Sequence, residues 1–188
     1  MEEEFIEPLT KDGSDLCQQL MDRYANSSAP QHRHLVATAA ALRSNLNAES
    51  LPLTLPAYFA AAISELADDL AAEALDPTAL SALLSFMAIG LPLVPQGGIA
   101  APKACDTAAI LVALLDREGD GKGLGMSTIR AAVKCLGVLI GFCDLENWDS
   151  IKLGFETLLK FAVDKRPKKS FQRFFRFLQP CRQMISLT

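Results

Sequence analysis

The chain has 188 residues, half of them apolar and 21% charged. That is about one domain's length, and it excludes a disordered polar chain; ten prolines and eleven glycines exclude collagen-like or linker-like sequence. The net charge of −4 excludes a chain basic enough overall to bind nucleic acid, but it divides unevenly, +7 over residues 160–188 and −11 over residues 1–159, the pattern of a basic tail on an acidic body.

Helix signals recur along the chain and strand signals do not. Residues 1–13 are acidic, carry Pro8 and Gly13, and read as a flexible arm. The acidic start lacks the basic and apolar regions of a signal peptide. A first helix is expected from Asp15 to about Tyr24 with Ser14 as its cap. A second starts near Pro30, because proline suits a first helical turn, and runs through His34, Leu35, Ala39, Leu42 and Leu46. Thr54 caps a third with Pro56 in its first turn. There Phe59, Ile63, Leu66 and Leu70 lie on one face, and Glu65, Asp68, Asp69 and Glu73 on a solvated one.

Asp76-Pro77 opens a fourth helix with Leu80, Leu83, Leu84, Met87 and Leu91 inward, ended by Pro92, Pro95, Gly97 and Gly98. Its apolar run, from Ala79 to Pro95, is shorter than the roughly 20 residues a spanning helix needs. A soluble, intracellular chain is therefore expected. A fifth helix begins near Pro102 and carries Ile110, Leu111, Leu114 and Leu115. Residues Gly119 to Gly125 read as a flexible connector. Ser127 is expected to cap a sixth helix, with Ile129, Val133, Leu136, Ile140 and Cys143 on one stripe and Val138, Leu139 and Phe142 on its other side. Apolar nearly all round, it is expected to lie between neighbours. The seventh places Trp148, Ile151, Phe155, Leu158 and Ala162 on one stripe and Lys152, Glu156 and Lys160 outside. Glu156 and Lys160 are spaced for an i,i+4 ion pair. After Arg166-Pro167, an eighth segment from Lys168 to about Gln179 collects Phe171, Phe174, Phe175 and Leu178 on one face.

Alternate helices open near residues 30, 77, 127 and 168. That spacing is close to the roughly 40–47 residues of HEAT and armadillo helix pairs, whose apolar faces are buried by stacking on neighbours. The fold class expected is all-α, a HEAT/armadillo-like α-solenoid of about seven to eight helices. The alternative is a bundle of eight helices. The domain reading is an arm at 1–13, a repeat domain at 14–168 and a basic amphipathic tail at 169–188.

Candidate chemistry is sparse. The stretch from Asp116 through Glu118 and Asp120 to Gly121 fills positions 1, 3, 5 and 6 of a calcium loop. Position 12, however, is Ser127, which cannot supply the bidentate carboxylate. The same stretch lacks the order of a phosphate-binding loop. His32 and His34 stand two apart, face different ways on a helix and cannot share a metal as an i,i+4 pair could; helix-start or packing roles are expected. The five cysteines, none in a CxxC pair, read as small buried apolar residues in a reducing compartment. No nucleophile–base or metal constellation appears, so no enzyme, cofactor or metal is expected.

The basic residues of the tail, Lys165, Arg166, Lys168, Lys169, Arg173 and Arg176, are the binding candidates. Lys169, Arg173 and Arg176 share one side of a helix, opposite the phenylalanines. They suit salt-sensitive phosphate contacts, a basic amphipathic helix for a membrane surface or a calmodulin-like partner, or the solvated face of one more repeat.

Four segments are distinctive: HRHLVATAAALRSNL (32–46), LPLTLPAYFAAAISEL (51–66), LSALLSFMAIGLPLVPQGGI (80–99) and VKCLGVLIGFCDLENWDSIKLGFETLLKFAVDKRPK (133–168). Over residues 30–168 they resemble the N-terminal part of plant ribosomal-RNA-processing protein 12-like proteins, which are large HEAT/armadillo-repeat nucleolar proteins. The resemblance implies a non-enzymatic scaffold in the nucleus and nucleolus, acting in ribosomal RNA processing and export of pre-ribosomal subunits. The implied partners are pre-ribosomal particles and ribosomal RNA, with transport receptors and the Ran GTPase; no membrane or small-molecule substrate is implied. The alternatives are a karyopherin-like protein–protein transport adaptor without RNA contact, or a non-functional fragment. Family members are several times longer, and after Lys168 this sequence departs from their pattern. It is read as a truncated gene model, a splice form or a degenerate copy. An uncapped terminal repeat exposes apolar surface, so residues 169–188 are expected to be poorly ordered or sticky, and sensitive to protease.

Overall fold

The computed structural model describes residues 15–71, 76–116 and 124–163, without the side chains at 69, 71, 162 and 163. Among the described residues there are seven α-helices and no strand: α1 (Leu16–Tyr24), α2 (Pro30–Ala48), α3 (Leu55–Ala71), α4 (Pro77–Gly90), α5 (Ala101–Asp116), α6 (Met126–Ile140) and α7 (Trp148–Val163). A short 3₁₀ turn, Leu91–Leu93, follows α4. No described helix is long and apolar enough to cross a membrane. The expected arm (1–13), connector (Gly119 to Gly125, in large part), eighth helix (168–179) and tail (169–188) lie outside the described residues.

The helix starts follow local chemistry. Asp15, not Ser14, caps α1, its carboxylate accepting from the Cys17 amide at 3.0 Å. Pro30 opens α2, where the missing N–H has no helical partner to lose. The Thr54 hydroxyl accepts from the Ala57 amide at 3.4 Å, and Asp76 accepts from Thr78 and Ala79 ahead of Pro77, both as the sequence implies. The cap of α6 differs: Gly125 occupies the position and Ser127 lies inside the helix. The end of α2 is a Schellman turn, with the Leu51 amide donating to the Leu46 carbonyl at 2.8 Å and Ser50 to Asn47 at 3.1 Å. Ser50 holds the left-handed position at φ 55°.

The chain divides into two compact units at Pro95/Gln96, within the span 14–168 that the sequence reads as one repeat domain. In the first, α2 packs on α1, α3 and α4, and α3 on α4. In the second, α5, α6 and α7 pack on one another. Within each unit successive helices touch, and α2 also reaches α4 and α5 reaches α7, as in stacked helical hairpins. The first core is built from Leu42, Leu46, Tyr58, Ile63, Leu66, Leu84, Phe86 and Met87, with the Tyr58 and Phe86 rings edge to face at 6.2 Å. It leaves a partly open gap of about 10 Å³ bordered by Leu16, Leu55, Tyr58, Phe86 and Leu91 among others, at the lower limit for one water. The second core holds Leu111, Leu114, Ile129, Val133, Leu136, Leu139, Ile151 and Leu158.

Three expectations shift. Leu91 is buried in the 3₁₀ turn, not in α4. Cys143 is buried, but past the end of α6. Trp148 is 50% exposed rather than inward. The buried side of α7 is centred on Ile151, Gly154, Thr157 and Leu158, which leaves Trp148 and Phe155 at its edge. A Cβ at Gly154 would stand 3.3 Å from Ile140 Cδ1 and 3.5 Å from Leu136 Cδ1, so α7 sits close on α6 because that residue has no side chain.

Candidate functional site

The most chemically loaded cluster of the first unit surrounds Asp15. Its carboxylate accepts from the Cys17 amide, from the Tyr58 hydroxyl at 2.6 Å and from Arg43 Nε. Burial works to raise this carboxyl, but the hydrogen bonds from Tyr58, Arg43 and the Gln18 and Cys17 amides outweigh it and hold the group below the ordinary carboxylate range. Burial, reinforced by Asp15, raises the Tyr58 hydroxyl well above the usual phenol range. Burial also pushes the neighbouring Cys17 thiol up to about 12. A saturated carboxylate beside a neutral phenol and a neutral thiol offers neither a base nor a nucleophile at neutral pH. The cluster acts as a clasp that ties the start of α1 to α2 and α3.

His32 takes the helix-start role expected of it: its Nδ1 lies 2.7 Å from the Ser27 hydroxyl and its ring stacks on Tyr24 with centroids 4.1 Å apart. His34 is exposed. Most of the calcium-loop decoy lies outside the described residues. Its first residue, Asp116, is 3.7 Å from Lys160 Nζ, so Lys160 reaches across to α5 instead of along α7 to Glu156. Among the described residues no cluster of His, Cys, Asp and Glu is placed to hold a metal.

The outer surface of α7 is the feature suited to binding. The turn before it is fixed by Asp144, whose carboxylate accepts from the Glu146 amide at 3.1 Å and whose carbonyl accepts from Asn147 at 3.2 Å. From there the helix exposes Trp148 (50%), Leu153 (52%) and Leu159 (46%), and the turn exposes Leu145. Trp148 and Phe155 meet edge to face at 5.7 Å, and Leu159 follows them one turn on. Lys152, Glu156 and Lys160 stand exposed among them. Aromatic and aliphatic groups rimmed by charge suit the docking of a protein or peptide.

The six basic candidates, Lys165, Arg166, Lys168, Lys169, Arg173 and Arg176, all lie outside the described residues. Of the expected acidic face, Glu65 and Asp68 are exposed on α3; the Asp69 side chain and Glu73 are not described. Sequence reading missed the clasp, because nothing local links Asp15 to partners 28 and 43 residues away. It also missed the exposed leucines of α7; Leu153 stands off the stripe through Trp148 and Phe155, whereas Leu159 continues that line and is exposed with it.

No curated protein and no solved structure matches the chain. A family model does, that of RRP12-like N-terminal HEAT repeats, over residues 1–173. This span includes every described helix, and the all-α fold agrees with a HEAT-repeat solenoid. The chain belongs to the RRP12-like family, as a form of its N-terminal HEAT-repeat region.

Proposed function

We propose that this chain is a non-enzymatic helical-repeat scaffold of ribosome biogenesis. It works in the nucleus and nucleolus, in ribosomal RNA processing and in export of pre-ribosomal subunits. The observation that carries this reading is the family match over residues 1–173. The Asp15 clasp supports the non-enzymatic part, since its polar groups are spent on one another. In mechanism, the exposed face of α7 takes protein, while Lys165, Arg166, Lys168, Lys169, Arg173 and Arg176 contact ribosomal RNA phosphates. Transport receptors and the Ran GTPase are further partners of the assembly.

Affinity purification of the full chain tests the reading. Co-isolation of pre-ribosomal proteins and ribosomal RNA is expected; recovery of chaperones alone overturns it and favours a non-functional fragment. The exposed Trp148–Phe155–Leu159 strip favours one second reading, a karyopherin-like transport adaptor that touches only protein. The two separate on RNA. Binding that weakens steeply with salt, and is abolished by charge reversal at Lys168, Lys169 and Arg173, supports direct contact. Absence of RNA binding at low salt supports the adaptor.

A further inference from the structure

The exposed strip of α7 has an internal symmetry. Trp148, Lys152, Phe155 and Leu159 follow one another at intervals of 4, 3 and 4 residues, the spacing of a helix–helix seam. Trp148 and Leu159 are 50% and 46% exposed, and Phe155 lies half-buried against the Trp148 ring. Ile151 and Leu158, on one flank of this seam, are buried in the core of the unit, so the seam itself is fixed facing outward. From the start of the helix to its end the exposed charges alternate in sign: Asp149, Lys152, Glu156, Lys160. Turning a second α7 about a two-fold axis opposite residues 153 and 154 gives an antiparallel pair. Trp148 then meets Leu159 of the second copy, and Phe155 meets its Lys152. Glu156, next to Phe155, flanks the same lysine, and Asp149 lies on the side of Lys160 of the second copy. Each acid faces a base, and each contact occurs twice, as in an isologous interface. A parallel copy in register sets like charge on like. A lysine within a seam of Trp, Phe and Leu is costly unless a ring and a carboxylate receive it, and the antiparallel copy supplies both.

We propose that the α7 strip binds a second copy of this chain, through an antiparallel two-fold contact of α7 with α7. This dimer rests on the reading of the α7 face as a protein-docking surface and names its occupant. From Trp148 to Leu159 the strip is about 16 Å long. One helix from each copy buries less than the roughly 1,200 Å² that divides transient from standard interfaces, so the dimer is reversible and forms in the micromolar range. Lys160 is 3.7 Å from Asp116 of its own chain. The pairing of Lys152 with Glu156 of the second copy, present twice at the centre, therefore sets the orientation. Lys152 and Glu156 are also four residues apart on one helix, where they support each other within the monomer. The two roles separate on mixing, because a pair lost within one helix is not mended by a second chain.

Sedimentation equilibrium of the full chain across the micromolar range tests the dimer. A monomer–dimer equilibrium is expected, with the emission of Trp148, the single tryptophan, moving to the blue as the dimer forms. Lys152→Glu and Glu156→Lys each set like charges together at both symmetry-related pairs, and each alone should weaken the dimer about tenfold or more. Mixed in equal amounts, the two variants restore opposite charge at both pairs and should associate as well as the wild type. A wild type that stays monomeric overturns the proposal, whether or not the variants fold; if that monomer still co-isolates pre-ribosomal proteins, the scaffold reading stands without the dimer. Association that ignores both substitutions, or variants that do not associate on mixing, also overturns it, and assigns any self-association to another surface.

Discussion

Asp15 illustrates how much one residue position settles. It caps α1 and holds α2 and α3 through Arg43 and Tyr58. Asp15→Ala should destabilise the first unit by about 1–2 kcal/mol through the lost cap, and by more through the unpaired Tyr58 hydroxyl. Asp15→Asn, which keeps an acceptor for the cap, should cost less; urea denaturation of the full chain measures both. Because the folded carboxyl lies below its ordinary value of 3.8, its contribution is present above that pH and is lost as pH falls through the depressed folded value. Stability of the wild type should thus fall more steeply than that of Asp15→Asn below about pH 4. Ser50 makes the opposite case. A non-glycine residue at φ 55° carries about 1 kcal/mol of steric cost, so Ser50→Gly should raise the melting temperature. The sequence shows an acid before a helix, yet Ser14 and Asp15 are both good caps, and only the position of Tyr58 and Arg43 selects between them.

At the scale of elements, the order and extent of α1 to α7 were legible because apolar residues recur at helical spacing and Pro30, Thr54 and Asp76 punctuate the starts. The orientation of α7 was not. A stripe drawn through large apolar residues selects Trp148 and Phe155, whereas contact with α6 requires a small residue at the centre, Gly154. Gly154→Val should therefore overpack that contact and destabilise the second unit by about 1–3 kcal/mol, read as a lowered denaturation midpoint. Thr157, fully buried on the same helix, has a hydroxyl with no hydrogen-bond partner among the described residues. Removing an unsatisfied buried polar group without changing shape stabilises. Thr157→Val should gain about 1 kcal/mol, and a loss of stability in the same assay would show that the hydroxyl has a partner. The candidate site was legible only in part: the charge of residues 165–176 is plain in the sequence, but the exposed α7 strip emerges only once the inward face is known.

For the whole chain, the repeat spacing and the family-specific segments carried the reading; the two-unit division at Pro95/Gln96 falls in the stretch 92–98, which reads equally well as an ordinary helix end between repeats. Both units bury thiols held neutral: burial pushes Cys17 in the first and Cys135 and Cys143 in the second up to about 12 from an ordinary 9.0. The folded chain thus retains protons that the unfolded chain releases, so stability is intact below about pH 9 and declines as pH rises toward 12. Denaturation midpoints measured across that range should fall, and a Cys17→Ala variant should fall less. The aromatic residues follow the same division. Both tyrosines, Tyr24 and Tyr58, belong to residues 1–95, and the single tryptophan, Trp148, belongs to residues 96–188. Each half thus carries its own intrinsic chromophore. Indole emission follows one half and phenol absorbance the other, so a single label-free titration can tell whether the halves melt in concert or one after the other.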